Sequence, residues 1–595
     1  MKKYLIIFYL LIACFVVSCD DYLKTESNST FTEENLFTNL DFAKKAVNGT
    51  YRHLTNIYTY TMIFFRMDAD IEFAPFKDDG GFKTISHYGA TDGISTLGSV
   101  WKTLYQGIEQ ANICIEGIPK SPIWNGDYAK EARQLYGEAV TMRAYFYFEL
   151  MSYWGDVPFK LKSTQADDDF FLPKTDRDEI YEYLIQDLKD VEDDMLWMDE
   201  MRTTERVNKA FTKGLRARMA LAYAGYSLRN KTFETRRGRK WQEYYEIARQ
   251  ECKEIMESGK HQLNPSFVNI FKTIQAYSMD LSSKEVLYEL PFGRLDNGRV
   301  SESIGMVHTT ADKKYGRAAS QVYVPPTYYY SFDKKDIRRN VSVELYSYSS
   351  SSTPGIQVLA SATGMGPCKW RRSWINPGMG GDLYAVTYTG VNWPMMRYAD
   401  IVLMRAEAEN EINGPTQIAK DALALVRKRA FPENLWPSKV THYVDSVSVS
   451  KEAFFNAIVD ERAWEFGGEL LRKQDLVRWN LLGPKIRQMK EESQKLINND
   501  PKYANVPDYI FWKRNADGET IDILNPDYRL PGTAITGYTR ASHWPLMSVG
   551  SKTSFTTTMG YVANGYNEAK NNHLYPISAD IITTSNGILS NDQIP

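Results

Sequence analysis

The run Asn392-Trp393-Pro394-Met395-Met396-Arg397-Tyr398-Ala399-Asp400-Ile401-Val402-Leu403-Met404-Arg405-Ala406-Glu407-Ala408-Glu409 opens the stretch whose reading decides the fold. The stretch closes with Ile458-Val459-Asp460-Glu461-Arg462-Ala463-Trp464-Glu465-Phe466, then Arg472 and Asp475-Leu476-Val477-Arg478-Trp479. Between the ends, Ala399, Leu403, Ala406 and Asn410 recur at spacings of three and four. Ile418, Ala422, Leu425 or Val426 and Arg429 repeat that spacing after the Gly414-Pro415 break. This is the period of amphipathic helices facing a shared interior. Small residues on the facing stripes (Ala399, Ala406, Ala422) let antiparallel helices approach closely, as tetratricopeptide-type pairs do. Periodicity alone says no more than two core helices of an all-α domain.

The wording of the stretch adds to this, because it resembles the SusD/RagB family of outer-membrane nutrient-binding lipoproteins. Members carry a segment like R-Y-A-E-V-L-L-M-x-A-E-A, then I-x-x-E-R-x-x-E-F-x-x-E-G-x-R-W-x-D-L-x-R-W. Arg397-Tyr398-Ala399-Asp400 and Leu403-Met404 through Glu407-Ala408 fit the first. Glu461-Arg462, Glu465-Phe466, Glu469, Arg472 and Asp475 to Trp479 fit the second without a gap. The departures are Leu470, where a Gly is usual, and Lys473-Gln474, where aromatics are usual; both bear on local packing. These are fold motifs and not a substrate site.

At 595 residues, 43% of them hydrophobic, the chain is long enough to bury a large core. A formal charge of −3 and a pI near 6.3 give no electrostatic case for nucleic acid. The first residues differ in texture. Lys2-Lys3 precede an apolar run, Leu5 to Val17, too short to span a bilayer comfortably. The run ends Val16-Val17-Ser18-Cys19, a lipobox-like sequence. Residues 1–18 are therefore expected to be a lipoprotein signal peptide, with Cys19 the lipidated residue; several acyl chains there would hold the protein on a membrane. An ordinary secretory signal with a chance cysteine is the alternative. Asp20-Asp21 resembles the export signal of surface lipoproteins in the Bacteroidetes, which implies an outer-membrane, cell-surface location, with residues 19–30 as a flexible tether. Cys114, Cys252 and Cys368 are isolated, with no disulfide framework or metal spacing. Cys114 and Cys252 fall on apolar helical faces and read as small core residues.

Along the chain, Thr32 reads as an N-cap, and helices are expected at Leu40–Leu54, Trp101–Ile115, Ala129–Trp154, Arg177–Trp197, Asn208–Leu228 and Trp241–Ser258. Ala46-Val47-Asn48-Gly49-Thr50-Tyr51, Arg143 to Leu150 and Trp154-Gly155-Asp156-Val157-Pro158 are again similar to the family. Val286–Leu290 reads as a short strand, Pro484–Ile497 as a helix and Asp517-Gly518 as a hairpin turn. His573 to Ser578 resembles the family's C-terminal L-x-P-I segment, so the resemblance runs end to end. It implies a mainly α fold: a single domain over 31–595 with about four tetratricopeptide-type repeats, long loops and a few short β-strands. The repeats would lie within 100–260 and 395–480, a loop-rich ligand region at 285–392 and an irregular part at 480–595.

No catalytic constellation is legible. Seven histidines are scattered without metal spacing, and no nucleophile elbow, phosphate loop or dinucleotide fingerprint occurs. Asp460-Glu461 point to different helix faces and cannot flank one glycosidic bond. Asp78-Asp79-Gly80 and Asp296-Asn297-Gly298 read as turns, not cation loops. No enzyme activity, cofactor or metal is expected. Sugar rings stack on aromatic faces and their hydroxyls bond to polar groups, so a binder would display aromatics on loops. The candidates are Phe76, Asp78, His87 and Tyr88 in the first loop, and Tyr315, Tyr323, Trp370, Trp374 and Tyr384 in the later ones. The resemblance implies capture of a glycan and delivery to a SusC-like TonB-dependent transporter. A peptide or other non-sugar nutrient, as for RagB-like members, is the alternative; a surface glycosidase or a ligand-free gate for the barrel are more distant ones.

Overall fold

The computed structural model describes residues 36–58, 60–293, 297–308, 314–348, 355–375, 388–541 and 549–592. Cys19, Thr32, Asp296 and Tyr384 lie outside these residues.

Among the described residues nine helices carry the scaffold: α1 (Leu40–Ile57), α2 (Ser95–Gly117), α3 (Ala129–Trp154), α4 (Arg177–Glu192), α5 (Lys209–Ala224), α6 (Trp241–Glu257), α7 (Tyr398–Asn413), α8 (Gln417–Ala430) and α9 (Lys451–Phe466). Each packs on the next in turn, α1 on α2 through α7 on α8, and α7 also receives α9. Neighbour-on-neighbour packing is what a helical-repeat scaffold requires, since one repeat cannot bury its apolar face alone. The expected fold class is the one found. What the sequence did not suggest is that α6 and α7 form one pair: residues 258–397 are an insertion between them.

Local chemistry sets the helix ends. Asn39, Asn208, Thr416 and Ser450 accept from the backbone N–H three residues on, capping α1, α5, α8 and α9. Gly155 ends α3 at φ +77, and a Cβ there would fall 1.9 Å from the Arg177 guanidinium, so only glycine fits. Helix α4 stops at Glu192 instead of Trp197. Helix α5 stops at Ala224, because Tyr226–Leu228 pairs antiparallel with Thr235–Arg237. Strand β1 (Val286–Leu290) pairs antiparallel with β2 (Trp393–Arg397), so the residues that open the deciding stretch are strand up to Arg397 and helix from Tyr398. Beyond α9 come α10 (Arg472–Arg478) and α11 (Leu482–Ile497). A three-stranded sheet follows, with β3 (Ile510–Arg514) between β4 (Ile521–Ile523) and β5 (Thr539–Ala541); β3 and β4 form the hairpin expected at Asp517-Gly518.

The motif residues are buried ion partners. Arg397 donates to Glu285 at 2.7 Å, to Glu465 at 3.0 Å and twice to Glu469 at 2.8 Å. Arg429 reaches Glu285 and Glu465, and Arg338 reaches Glu461 and Glu465. Arg462 joins Asp400 to Asp475, and Arg478 joins Asp475 to Glu407. Burial alone would push the Glu465 carboxyl up; the guanidiniums of Arg429, Arg397 and Arg338 outweigh it and pull the group down to about 2. A charge this deep is tolerable only when paired on every side, which is why these residue types recur together. Cys114 and Cys252 are fully buried, as read from their helical faces, and Cys368 is buried too.

The two departures have physical accounts. Leu470 sits at φ +58, the left-handed region where Gly is the usual residue. That conformation costs about 1–2 kcal/mol, and burying the leucine side chain recovers about 1.5–3 kcal/mol, so the position tolerates leucine. Lys473 is buried with its Nζ 4.1 Å from the Tyr88 ring centroid and donates to the Tyr575 hydroxyl at 3.0 Å. Burial drives its ammonium down to about 7, against the pull of Asp68.

Candidate functional site

The segment Met67–Phe76 leaves the core beside α9 and α10 and is nearly all buried until Phe76. Asp68 organises it. One carboxylate oxygen accepts from Ala74 N–H at 2.9 Å; the other accepts from Ala563 N–H at 2.7 Å and faces His87 Nδ1 at 2.5 Å. His87 Nε2 lies 3.1 Å from the Phe76 carbonyl. Both ring nitrogens therefore face oxygens, an arrangement that the doubly protonated imidazolium satisfies. Burial pulls its pKa down, but Asp68 and the Phe76 carbonyl outweigh it and raise the group above its ordinary value. Asp68 (φ +61), Phe76 (φ +76) and Tyr88 (φ +63) all hold left-handed backbone. Strain of this kind concentrates at functional loops and persists only where neighbours over-determine it. Here Asp68, His87 and the Tyr88 hydroxyl, which donates to the Asp68 carbonyl at 2.8 Å, do so.

The result is a displayed ring. Phe76 is 60% exposed. Beside it stands half-buried Tyr323, with ring centroids 6.3 Å apart. Two backbone hydrogen bonds of 2.9 Å between Phe73 and Tyr323 splice the first loop to the later one. Lys83 Nζ lies 5.4 Å from the Phe76 centroid, and exposed Asp78 accepts from Asn564 at 3.3 Å. An exposed apolar face with a cation beside it can stack on a sugar ring, and the nearby Asp78–Asn564 pair offers groups that bond to hydroxyls.

The structure thus brings Phe76, Asp78, His87, Tyr88 and Tyr323 into one group, although His87 and Tyr88 are buried supports and not surface. Trp370, expected on a loop, is instead a core residue: it is fully buried, donates to the Gly468 carbonyl at 2.8 Å and lies against Trp393 at 5.3 Å. Tyr315 and Trp374 belong to a different group. Tyr315 packs on Tyr348 at 5.4 Å, and half-buried Trp374 lies between Arg371 at 4.5 Å and Lys272 at 5.5 Å. Asp68, Lys83 and Asn564 were not legible as site residues; Asp68 and Ala563 are 495 positions apart and share no sequence signal.

Among the described residues, one acidic grouping, Glu192, Glu251 and Glu254, is tight enough for a cation. The Lys213 ammonium already sits on all three, at 2.7, 3.3 and 2.7 Å. Glu72 has a carboxyl pushed up to about 7 by burial, with the Gly468 N–H opposing, but it is 1% exposed and closed off from any substrate.

Residues 228–593 match the SusD family, and residues 8–221 match the family described as "starch-binding associating with outer membrane". Two SusD-like proteins of Formosa agariphila are 23% and 24% identical over 81% and 85% of this chain and 90% and 100% of their own lengths. A SusD homolog from Bacteroides thetaiotaomicron has a similar fold at a TM-score of 0.72, 22% identical, covering 94% of this chain and 98% of that one. Surface glycan-binding protein A from the same organism, solved in complex with laminarihexaose, aligns at 0.59 and 16% identity over 93% and 99% of the two chains. With a family match over more than half its length and the motif residues locked in the buried ion network, the chain belongs to the SusD family.

Proposed function

We propose that this protein captures a glycan at the surface formed by Phe76 and Tyr323 and passes it, without breaking a bond, to a SusC-like TonB-dependent transporter. The observation that carries the reading is the Phe76 ring, held out in left-handed backbone by a buried imidazolium–carboxylate pair. A fold spends stability on such a display only where the ring has work to do. The laminarihexaose complex of a structural neighbour supports a glycan as the ligand class. Removal of residues 1–18, acylation at Cys19 and a tether over 19–30 would hold the domain 31–595 at the outer membrane, in keeping with the description of the matching N-terminal family.

Affinity electrophoresis of residues 20–595 against plant, host and microbial polysaccharides tests the capture. A retarded band with no product formed is the expected result; release of reducing ends would establish a glycosidase. No retardation by any glycan would turn the assignment to peptides. For the anchor, Cys19→Ala is expected to give soluble, unacylated protein. Full recovery of that variant with the outer membrane would refute lipidation at Cys19.

A further inference from the structure

A second cleft, lined by neither Phe76 nor Tyr323, lies between α9, α11 and the segments 327–334 and 502–506, with a volume of about 500 Å³. That is within the range of small-ligand sites, about 300–1,000 Å³. Its floor holds Trp464, which is half-buried and fixed in place: the indole N–H donates to Ser331 Oγ at 3.1 Å, and the ring leans on Phe332 at 6.3 Å. Tyr330, from a different element, lines the same space.

The polar lining selects the ligand class. Its charges pair among themselves: Arg472 with Asp70 at 2.7 Å, Lys485 with Asp460 at 3.5 Å and Lys502 with Glu492 at 2.6 Å. Lys334 donates to the Asp527 carbonyl at 2.9 Å, while the Asp527 carboxylate is held by Arg339, outside the lining, at 2.8 Å. The lining holds four cations and four carboxylates, and each of those carboxylates is already ion-paired. By contrast, the neutral side chains Thr327, Gln488 and Asn505 make no hydrogen bond among the described residues and are available to a ligand. Rigid indole, a second aromatic, free amides and a hydroxyl, and paired carboxylates together fit a neutral polyol better than an ionic ligand.

We propose that this cleft is a second binding site, for a short stretch of uncharged glycan chain, independent of the Phe76–Tyr323 surface. The ligand class rests on the proposed function; the location does not. Two sites on one rigid chain raise the effective concentration of a long polymer and give a polysaccharide tighter binding than its own oligosaccharides.

The test is ¹⁹F NMR on the full chain labelled with 5-fluorotryptophan, with the Trp464 signal assigned by its loss in Trp464→Phe. Neutral hexasaccharides of α- and β-linked glucose, xylose and mannose are titrated into wild type and into the Phe76→Ala/Tyr323→Ala double variant, with a uronic-acid oligosaccharide as the charged control. The expected result is a saturable shift of the Trp464 signal with a neutral hexasaccharide, of similar midpoint in both proteins. Trp464→Ala then lowers polysaccharide affinity about tenfold while the double variant still binds. A Trp464 signal indifferent to glycans that the wild type retains in electrophoresis overturns the second site and leaves the capture function standing. Preference for the uronic-acid probe overturns the neutral class, and a wild type that retains no glycan at all overturns both proposals.

Discussion

Asp68 and His87 form a buried ion pair at 2.5 Å, and through the far side of the ring this pair holds the backbone of Phe76. Asp78 adds to the pull of Asp68 on the ring. Because the folded pKa of His87 is raised, the stabilisation is complete below the ordinary value of 6.5 and is lost as pH climbs through the folded value. Thermal unfolding of wild type and His87→Gln should differ most near pH 6 and converge towards pH 9. Ligand affinity of the wild type should fall over the same interval as the Phe76 carbonyl loses its charged donor. A gap that widens with pH would show that the pair is neutral.

Phe76 and Trp370 should respond in opposite ways to truncation. Phe76→Ala removes an exposed ring and should lower glycan affinity about tenfold or more with stability within roughly 0.5 kcal/mol of wild type. Trp370→Ala empties a core site and leaves the Gly468 carbonyl without its donor, a loss of about 3–5 kcal/mol. Paired calorimetric binding and denaturant unfolding separate the two. Equal loss of stability would mean that Phe76 packs and does not display.

Glu465 is one of the buried carboxyls, with Asp400 and Asp70, that give the scaffold its acid sensitivity. Its folded pKa of about 2 lies below the ordinary 4.5, so its contribution is present above pH 4.5 and disappears as pH falls through 2. Two and a half units correspond to about 3 kcal/mol. Glu465→Gln should lose roughly that amount at pH 7, with the two unfolding curves meeting near pH 2. A pH-independent difference would assign the loss to packing and not to charge.

The repeat helices were legible because their periodicity is local. Ala129–Trp154 and Val286–Leu290 lie where spacing puts them, and Asp517-Gly518 turns as its chemistry requires. Errors fell where pairing with another segment overrode the local pattern. Tyr226–Leu228 continues an apolar pattern but meets Thr235–Arg237 and becomes strand, and Trp393–Arg397 meets β1 from more than a hundred positions away. Residues 300–392 have the composition of surface loops, yet Trp370 is drawn inside by Gly468 and Trp393. The site followed the same rule. Aromatics on loops named Phe76 and Tyr323 individually, but nothing local tells that Phe73 bonds to Tyr323 or that Asp68 collects an amide from Ala563.

The insertion of residues 258–397 between α6 and α7 has a consequence for biogenesis. At about 5–20 residues per second, roughly 7–28 s of translation separates α6 from the helix that covers it. During that time the face holding Ala248, Cys252 and Ile255 has α5 on one side and nothing on the other. The six helices already made, α1 to α6, are a half-finished solenoid with an adhesive end, and a second nascent chain could supply the missing helix as readily as the chain's own. Secretion machinery and holdase chaperones would meet this protein there, at the seam of its third repeat, long before its ligand surface exists.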